Sequence, residues 1–308
     1  MKMKKVFYQR LWAFMTIIQI GNIYGQQLAD ESFNFAISNP AYRSEGGPLI
    51  LFDEAHNNGS TLRGTYSPFG KLLRNDGYQM SSSKHKITPE LLSSAKIYVT
   101  VNAISDPEHW ELPVVSAYGS EEIGILKRWV AEGGGLFLIT DHMPCGGAAA
   151  DLAAAFNINV LNGFAIRDDG QPEIFSKERR TLLSNEITDF PGIKVDSIMC
   201  WGGTGFIVPP SAKIISQLGK EYKIYLPVNA SQIKRPVSDS IPSLSAKGFV
   251  NGAYFPFGKG RVVIFGDGAP FSAQLQGIKN EKRGMNHPGG KQNAQLLLNI
   301  IHWLDRRL

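Results

Sequence analysis

The sequence is poor in cysteine. Only Cys145 and Cys200 occur in 308 residues, which excludes a disulfide framework and leaves room for one bridge at most. Long apolar runs are missing too: nothing beyond residue 25 approaches the roughly 20 apolar residues that a membrane-spanning helix needs. A phosphate-cradling G-x-x-x-x-G-K-[ST] loop is also absent. The Gly-Lys pairs Gly70-Lys71, Gly219-Lys220, Gly258-Lys259 and Gly290-Lys291 are never followed by Ser or Thr. An excess of charge is lacking as well. The formal net charge is +5, but four of the 32 basic residues and none of the 27 acidic ones lie in residues 1–25, leaving 28 against 27. No clustered basic footprint for nucleic acid is visible.

These absences decide how "PLILFDEAHNN" at residues 48–58 should be read. Asp-Glu-Ala-His after an apolar run looks like the acidic motif of a nucleotide-driven motor. Without the phosphate loop, and with too little chain ahead of Asp53 to build a nucleotide unit, the likeness is chance. What survives is a strand that delivers polar residues at its carboxyl end.

Residues 1–25 carry Lys2, Lys4, Lys5 and Arg10, then a short apolar stretch ending at Gly25. This is the pattern of a secretory signal peptide, so the expected location is the periplasm or the secreted fraction. Residues 26–46 read as an N-terminal extension and 47–308 as one domain.

Along that domain, apolar strands alternate with amphipathic helices. Strands are expected at "LILF", "KIYVTVN", "GLFLIT" and "GRVVIF", and helices at "SPFGKLLRN", "TPELLSSA", "SEEIGILKRWVAE", "AAADLAAAF" and "NAQLLLNIIHWL". Continuous apolar strands separated by helices indicate a mainly parallel sheet covered on both faces. Residues 160–250, broken by Gly, Pro and Ser, suggest an irregular or antiparallel insertion.

Polar residues gather where these strands end: Asp53, Glu54, His56 and Asn57; Asn102, with His109 in the loop beyond; Asp141 and His142; and Asp267. His287 stands in a glycine-rich loop. Ligands of open α/β sheets bind beyond the carboxyl ends of the strands. Asp53, Glu54, His56, Asp141 and His142 are therefore the expected acid–base residues. Asn57, Asn102, His109, Asp267 and His287 are the expected substrate contacts. Each has a plainer reading: Asp53 and Asp141 as helix caps, Asn57 to Gly59 as a turn, Glu121, Glu122 and Lys127 as a solvated helix face. His302 reads as a packed histidine. Cys145 sits too far past "FLIT" for a nucleophile elbow. No cofactor is expected. A divalent metal held by the two histidines and two aspartates stays open, although no compact H-x-x-x-H spacing supports it.

Together, "ILFDEAHNN", "VNAISDPEHW", "WVAEGGGLFLITDHMP", "GRVVIFGDGAPFSAQL" and "GMNHPGGKQNAQLLLNIIHWL" resemble an exported bacterial family of unassigned function. It falls within the class I glutamine-amidotransferase-like superfamily and is akin to the ThuA-like proteins. The resemblance spans about residues 47–308. It implies a flavodoxin-like three-layer α/β sandwich and adds Gln274 and Asn286 to the substrate contacts. The Cys, His and Glu of true amidotransferases have no match here, so glutamine hydrolysis is not implied. A carbohydrate ligand follows by association only. The function expected is a hydrolase of a small polar or carbohydrate-derived substrate; the alternative is a non-catalytic binding module for such a ligand. Neither a nucleic-acid partner nor stable membrane insertion is expected.

Overall fold

The computed structural model describes residues 27–308 apart from positions 45, 168, 170, 172 and 191; the expected export segment lies outside these. Nine strands form the main sheet: β1 (Leu49–Asp53), β2 (Gln79–Ser83), β3 (Ala95–Val101), β4 (Gly135–Ile139), β5 (Asn159–Val160), β6 (Phe206–Ile207), β7 (Lys213–Gln217), β8 (Val250–Phe257) and β9 (Gly260–Phe265). Their order is β2-β1-β3-β4-β9-β8-β6-β5, with β7 paired to β8. From β2 to β9 every pairing is parallel; from β9 outward every pairing is antiparallel. The parallel half has the doubly wound order of a flavodoxin-like fold, whose switch point lies between β1 and β3.

Both faces of the parallel half are covered, which is why its strands are apolar throughout. Strand parity assigns each residue to a layer. Ile50, Phe52, Ile97, Val99, Phe137, Ile139, Val263 and Phe265 pack with helices α1 (Ser67–Asn75) and α6 (Asn293–Leu304). Leu51, Tyr98, Leu136, Leu138, Val262 and Ile264 pack with α2 (Pro89–Ser93), α3 (Ser120–Glu132) and α5 (Ala150–Ala154). This parity later separates the polar strand ends.

The helices follow the sequence closely. Phe69, Leu72 and Leu73 are the buried face of α1, and Gly77 ends the turn after it at φ +92°. Thr88 caps α2 by accepting from Leu91 N. On α6, Leu296, Leu297, Ile300, Ile301 and Leu304 face inward. His302 is packed, its Nε2 2.6 Å from Asp76. The expected helix after β4 is divided into α4 (Cys145–Ala148) and α5, with Ala149 between.

Three details differ. No strand is legible between Gly77 and Thr88, yet β2 forms there. It is an edge strand, and its Ser81, Ser82 and Ser83 give no apolar alternation for a sequence to show. Helix α3 starts one residue earlier than expected, with Gly119 rather than Ser120 as its cap. Glu122, read as part of a solvated face, is 6% exposed.

The insertion is antiparallel. Besides β5, β6 and β7 it contains a three-stranded sheet of Phe164–Arg167, Tyr222–Tyr225 and Ser243–Ser245 and two two-stranded ribbons. A further ribbon pairs Gln27–Ala29 from the N-terminal extension with Ala273–Gln276, and that strand with Glu281–Gly284. Among the described residues no helix is long and apolar enough to cross a membrane. Cys145 and Cys200 are both buried and unbridged.

Candidate functional site

The polar strand ends fall into two groups. Asp53 shares the parity of Leu51 and so points to the α3 layer. There His56 Nδ1 lies 2.9 and 2.8 Å from the two Asp53 oxygens, and its Nε2 lies 3.1 Å from Glu122 Oε1. Thr100 donates to Asp53 Oδ2 at 2.8 Å, and Tyr118 therefore donates to Thr100 at 2.7 Å. Glu122 also accepts the backbone amides of Ile87 and Gly119. Asn58 accepts from His56 N and donates to Val101 O. Asp53, His56 and Glu122 are all under 9% exposed. With a carboxylate at each ring nitrogen, the imidazolium fits both. Burial alone would lower the His56 pKa, but the bonds and charges of Asp53 and Glu122 outweigh it and raise it. For Glu122 burial works upward, and its two amides and His56 prevail to bring the pKa down.

The second group opens to solvent. Asp141 and Asp267 follow β4 and β9 with the parity of Ile139 and Phe265, and point toward the opposite layer. With Asn102, His142, Gln274 and Arg283 they line a cavity of about 270 Å³, whose walls include Trp110, Trp201 and Tyr66. The volume lies at the small end of ligand pockets, which run from about 300 to 1,000 Å³. Asp141 accepts from His142 N at 2.8 Å, from Asn102 Nδ2 at 3.3 Å and from Gly268 N at 3.4 Å. Asp267 accepts from Trp201 N at 2.5 Å and Ala269 N at 2.8 Å. Burial, then the charge of Asp141, push the Asp267 carboxyl up to about 7.

Local backbone builds this cavity. Gly203 (φ +89°) lies so close to the end of β9 that a Cβ would meet Gly266 O at 2.0 Å, and this approach brings Trp201 over Asp267. Asn102 adopts φ +48°, a left-handed conformation in which Asn is enriched. Tyr66 donates to Gly268 O at 2.5 Å, fixing the turn after β9.

Of the residues picked from sequence, Asn102, Asp141, His142, Asp267 and Gln274 meet at this cavity. Asp53 and His56 do not join them; they lie in the buried group. Glu54 accepts from Leu62 N and lines another cleft, with Ser82, Ser83 and His85. Asn57 is exposed and donates to Ser105 O. His109 is exposed in its loop. Asn286 donates to Asp30 and to Gln274 O, tying the extension to the ribbon. His287 accepts from Gly289 N and packs edge-on against Trp201. Cys145 lies at the cavity, but burial pushes its thiol far above the ordinary range, so it offers no thiolate. Among the described residues, no group of three or more His, Cys, Asp or Glu is arranged to hold a metal ion. Sequence reasoning missed Arg283, Tyr66, Trp110 and Trp201. Only Trp201 had a visible signal, its place before Gly202 and Gly203.

No protein-family model matches the sequence, and no curated protein matches it. Solved structures do. The chain is similar to the mmIFT52 N-terminal domain, with a TM-score of 0.57 and 16% identity over 83% of this chain and 96% of that one. At that identity the likeness shows the fold alone. A ThuA-like protein from Bacteroides uniformis is similar at a TM-score of 0.47 and 12% identity, over 88% and 94% of the two chains. A cytoplasmic protein from Salmonella typhimurium, STM3548, gives 0.48 and 11%, over 83% and 98%.

Proposed function

We propose that the chain is an exported hydrolase of a small polar or carbohydrate-derived substrate, working by acid–base chemistry in the cavity beyond β3, β4 and β9. The observation that carries this reading is the carboxyl pair Asp141 and Asp267 inside one small cavity. Two neighbouring carboxyls in unequal surroundings divide the roles of acid and base between them. Asp267, buried and beside a second carboxyl, keeps its proton to near pH 7 and is the acid. Asp141, held by three donors, is the base that takes a proton from water. Trp110 and Trp201 give apolar walls against which a sugar ring can lie, and Asn102 and Gln274 supply orienting polar groups. Export rests on the pattern of residues 1–25.

One observation favours the binding-module alternative: both Asp267 oxygens already accept backbone amides. A screen of glycosides, esters and amides, run on wild type, Asp141→Asn and Asp267→Asn, separates the two. Hydrolysis should fall about 10²–10³-fold in either variant with substrate binding kept. Binding without turnover of any substrate class would leave the module. Full activity in both variants would remove the carboxyl pair from the chemistry.

A further inference from the structure

The cavity is unbalanced in hydrogen-bonding capacity. Several donors around it are already used within the protein. Tyr66 OH goes to Gly268 O, Trp110 Nε1 to Pro107 O, and the amides of Trp201 and Ala269 to Asp267. Acceptors are left over. Asn102 Oδ1 and Gln274 Oε1 are buried and have no partner among the described residues, a state that is costly unless something fills it. Their orientation is fixed. Asn102 Nδ2 is taken by Asp141, and Gln274 Nε2 by Ser272, whose own hydroxyl donates to Ala269 O. Neither amide can turn without losing that bond. His142 Nδ1 donates to Met143 O, and its Nε2 lies 3.9 Å from Asp141 Oδ1.

The leftover groups differ from one side of the cavity to the other. On the strand-end side stand Asn102 Oδ1 and the Asp141 carboxylate, both acceptors. On the ribbon side, Gln274 and Arg283 are direct cross-strand partners, whose side chains stand together. Arg283 Nη1 and Nη2 are bound to Gln276 Oε1 and Trp201 O, and its buried Nε is unpartnered. That side therefore offers one acceptor and one donor together. A hydroxyl, which donates and accepts, completes that pair. A group with several donors and no acceptor completes the other side, and a primary ammonium is such a group.

We propose that the cavity selects a ligand carrying a protonated amine and a hydroxyl, of the amino-sugar class, with the amine at Asn102 and Asp141 and the hydroxyl at Gln274 and Arg283. This rests on the reading of the cavity as a small-ligand site. The charges agree: Asp141 stands at the strand-end side and Arg283 at the ribbon side, so a cation is favoured over an oxyanion beside Asn102 and Asp141.

Calorimetric titration at pH 7 with glucosamine, glucose and glucuronate tests it. Wild type should bind glucosamine about tenfold more tightly than glucose, the scale of one charge-assisted bond, and glucuronate least. Asn102→Gly, which keeps the left-handed backbone without strain, should erase the glucosamine preference and bring the two sugars to similar affinity. Gln274→Leu should weaken both sugars together and keep their ratio. Equal binding of glucosamine and glucose, or preference for glucuronate, overturns the inference and leaves the cavity a ligand site. An unchanged ratio in Asn102→Gly overturns the placement of the amine. Failure of all three sugars to bind wild type overturns this inference and the reading beneath it.

Discussion

Two polar groups stand at the carboxyl edge of the same sheet, a few strands apart, and they have opposite fates. At Asp53, His56 and Glu122 every buried donor and acceptor finds a partner in the protein. At Asn102, Gln274 and Arg283 buried groups are left without one. The residue types are similar. What differs is the layer they enter. Asp53 enters the layer of α3, whose N-terminus brings Glu122 and Tyr118 down onto it. Asp141 and Asp267 enter the layer of α1 and α6, where Trp110, Trp201 and the ribbon stand around a cavity instead of filling it. Closed polar groups of the first kind tie elements together; here β1, the ends of β3 and the approaches to α2 and α3 meet on one imidazole. Open groups of the second kind await a ligand.

The largest effect that would test this contrast is on stability. His56→Ala leaves Asp53 and Glu122 as buried carboxylates without their cation. Breaking such a group by removing one partner costs about 3–5 kcal/mol, which lowers Tm by roughly 6–20 °C in a domain of this size. Sugar binding at 25 °C by the protein that remains folded should match wild type. A Tm within about 2 °C of wild type, with binding or turnover lost, would move His56 into the functional site and dissolve the distinction.

The contrast also shows what the sequence could reveal. The parallel half was legible because strands covered on both faces are apolar throughout, and helices such as α6 repeat their apolar residues at helical spacing. The strand ends Asp53, Asn102, Asp141 and Asp267 were legible as polar residues directly after apolar runs. Their division into two groups was not. It depends on parity continued past the last paired residue, and on Glu122, whose neighbours Glu121 and Lys127 look like ordinary surface. Arg283 was hidden for another reason. Its place at the cavity comes from pairing Glu281–Gly284 with Ala273–Gln276 and, through that strand, with residues 27–29, and pairing of this range leaves no local pattern. The edge strand β2 was missed because it has three serines where an apolar alternation would betray a strand.

A smaller effect, graded with pH, sharpens the comparison. Activity should descend as pH rises through about 7, where Asp267 loses the proton it gives as acid, and each further unit should cost about tenfold. Asp267→Asn should lack this limb. Stability depends on pH in both groups: the Asp267 and His56 contributions fade as pH rises and that of Glu122 as pH falls. Because the folded Asp267 pKa is raised from 3.8 to about 7, the native state holds a proton that the unfolded chain releases, so its contribution declines between those values as pH rises. For His56, with a raised pKa, the contribution is full below about 6.5 and fades as pH climbs through the folded value. For Glu122, with a lowered pKa, it is full above about 4.5 and fades as pH falls through the folded value. Urea midpoints measured from pH 4 to 9 for wild type, Asp267→Asn and Glu122→Gln resolve these slopes. An activity profile flat from pH 6 to 8 would remove Asp267 as the acid.

The smallest effect concerns Cys145, which borders the open group without belonging to its chemistry. This residue is 8% exposed and packs with Ile104 and Ala148, among Val114 and Ala117. Burial, with the nearby Asp141 charge, holds the thiol protonated. A thiol so placed acts as a small apolar side chain. Replacing it by Ala removes one sulfur atom from a packed wall, so Cys145→Ala should lose about 1 kcal/mol of stability or less and keep turnover within about twofold. Iodoacetamide at pH 8 should label the native protein slowly, because alkylation requires the thiolate. Rapid labelling of Cys145 that runs in parallel with loss of hydrolysis, together with an inactive Cys145→Ala, would replace the carboxyl pair with a thiol nucleophile and place the chemistry one loop away from Asp267.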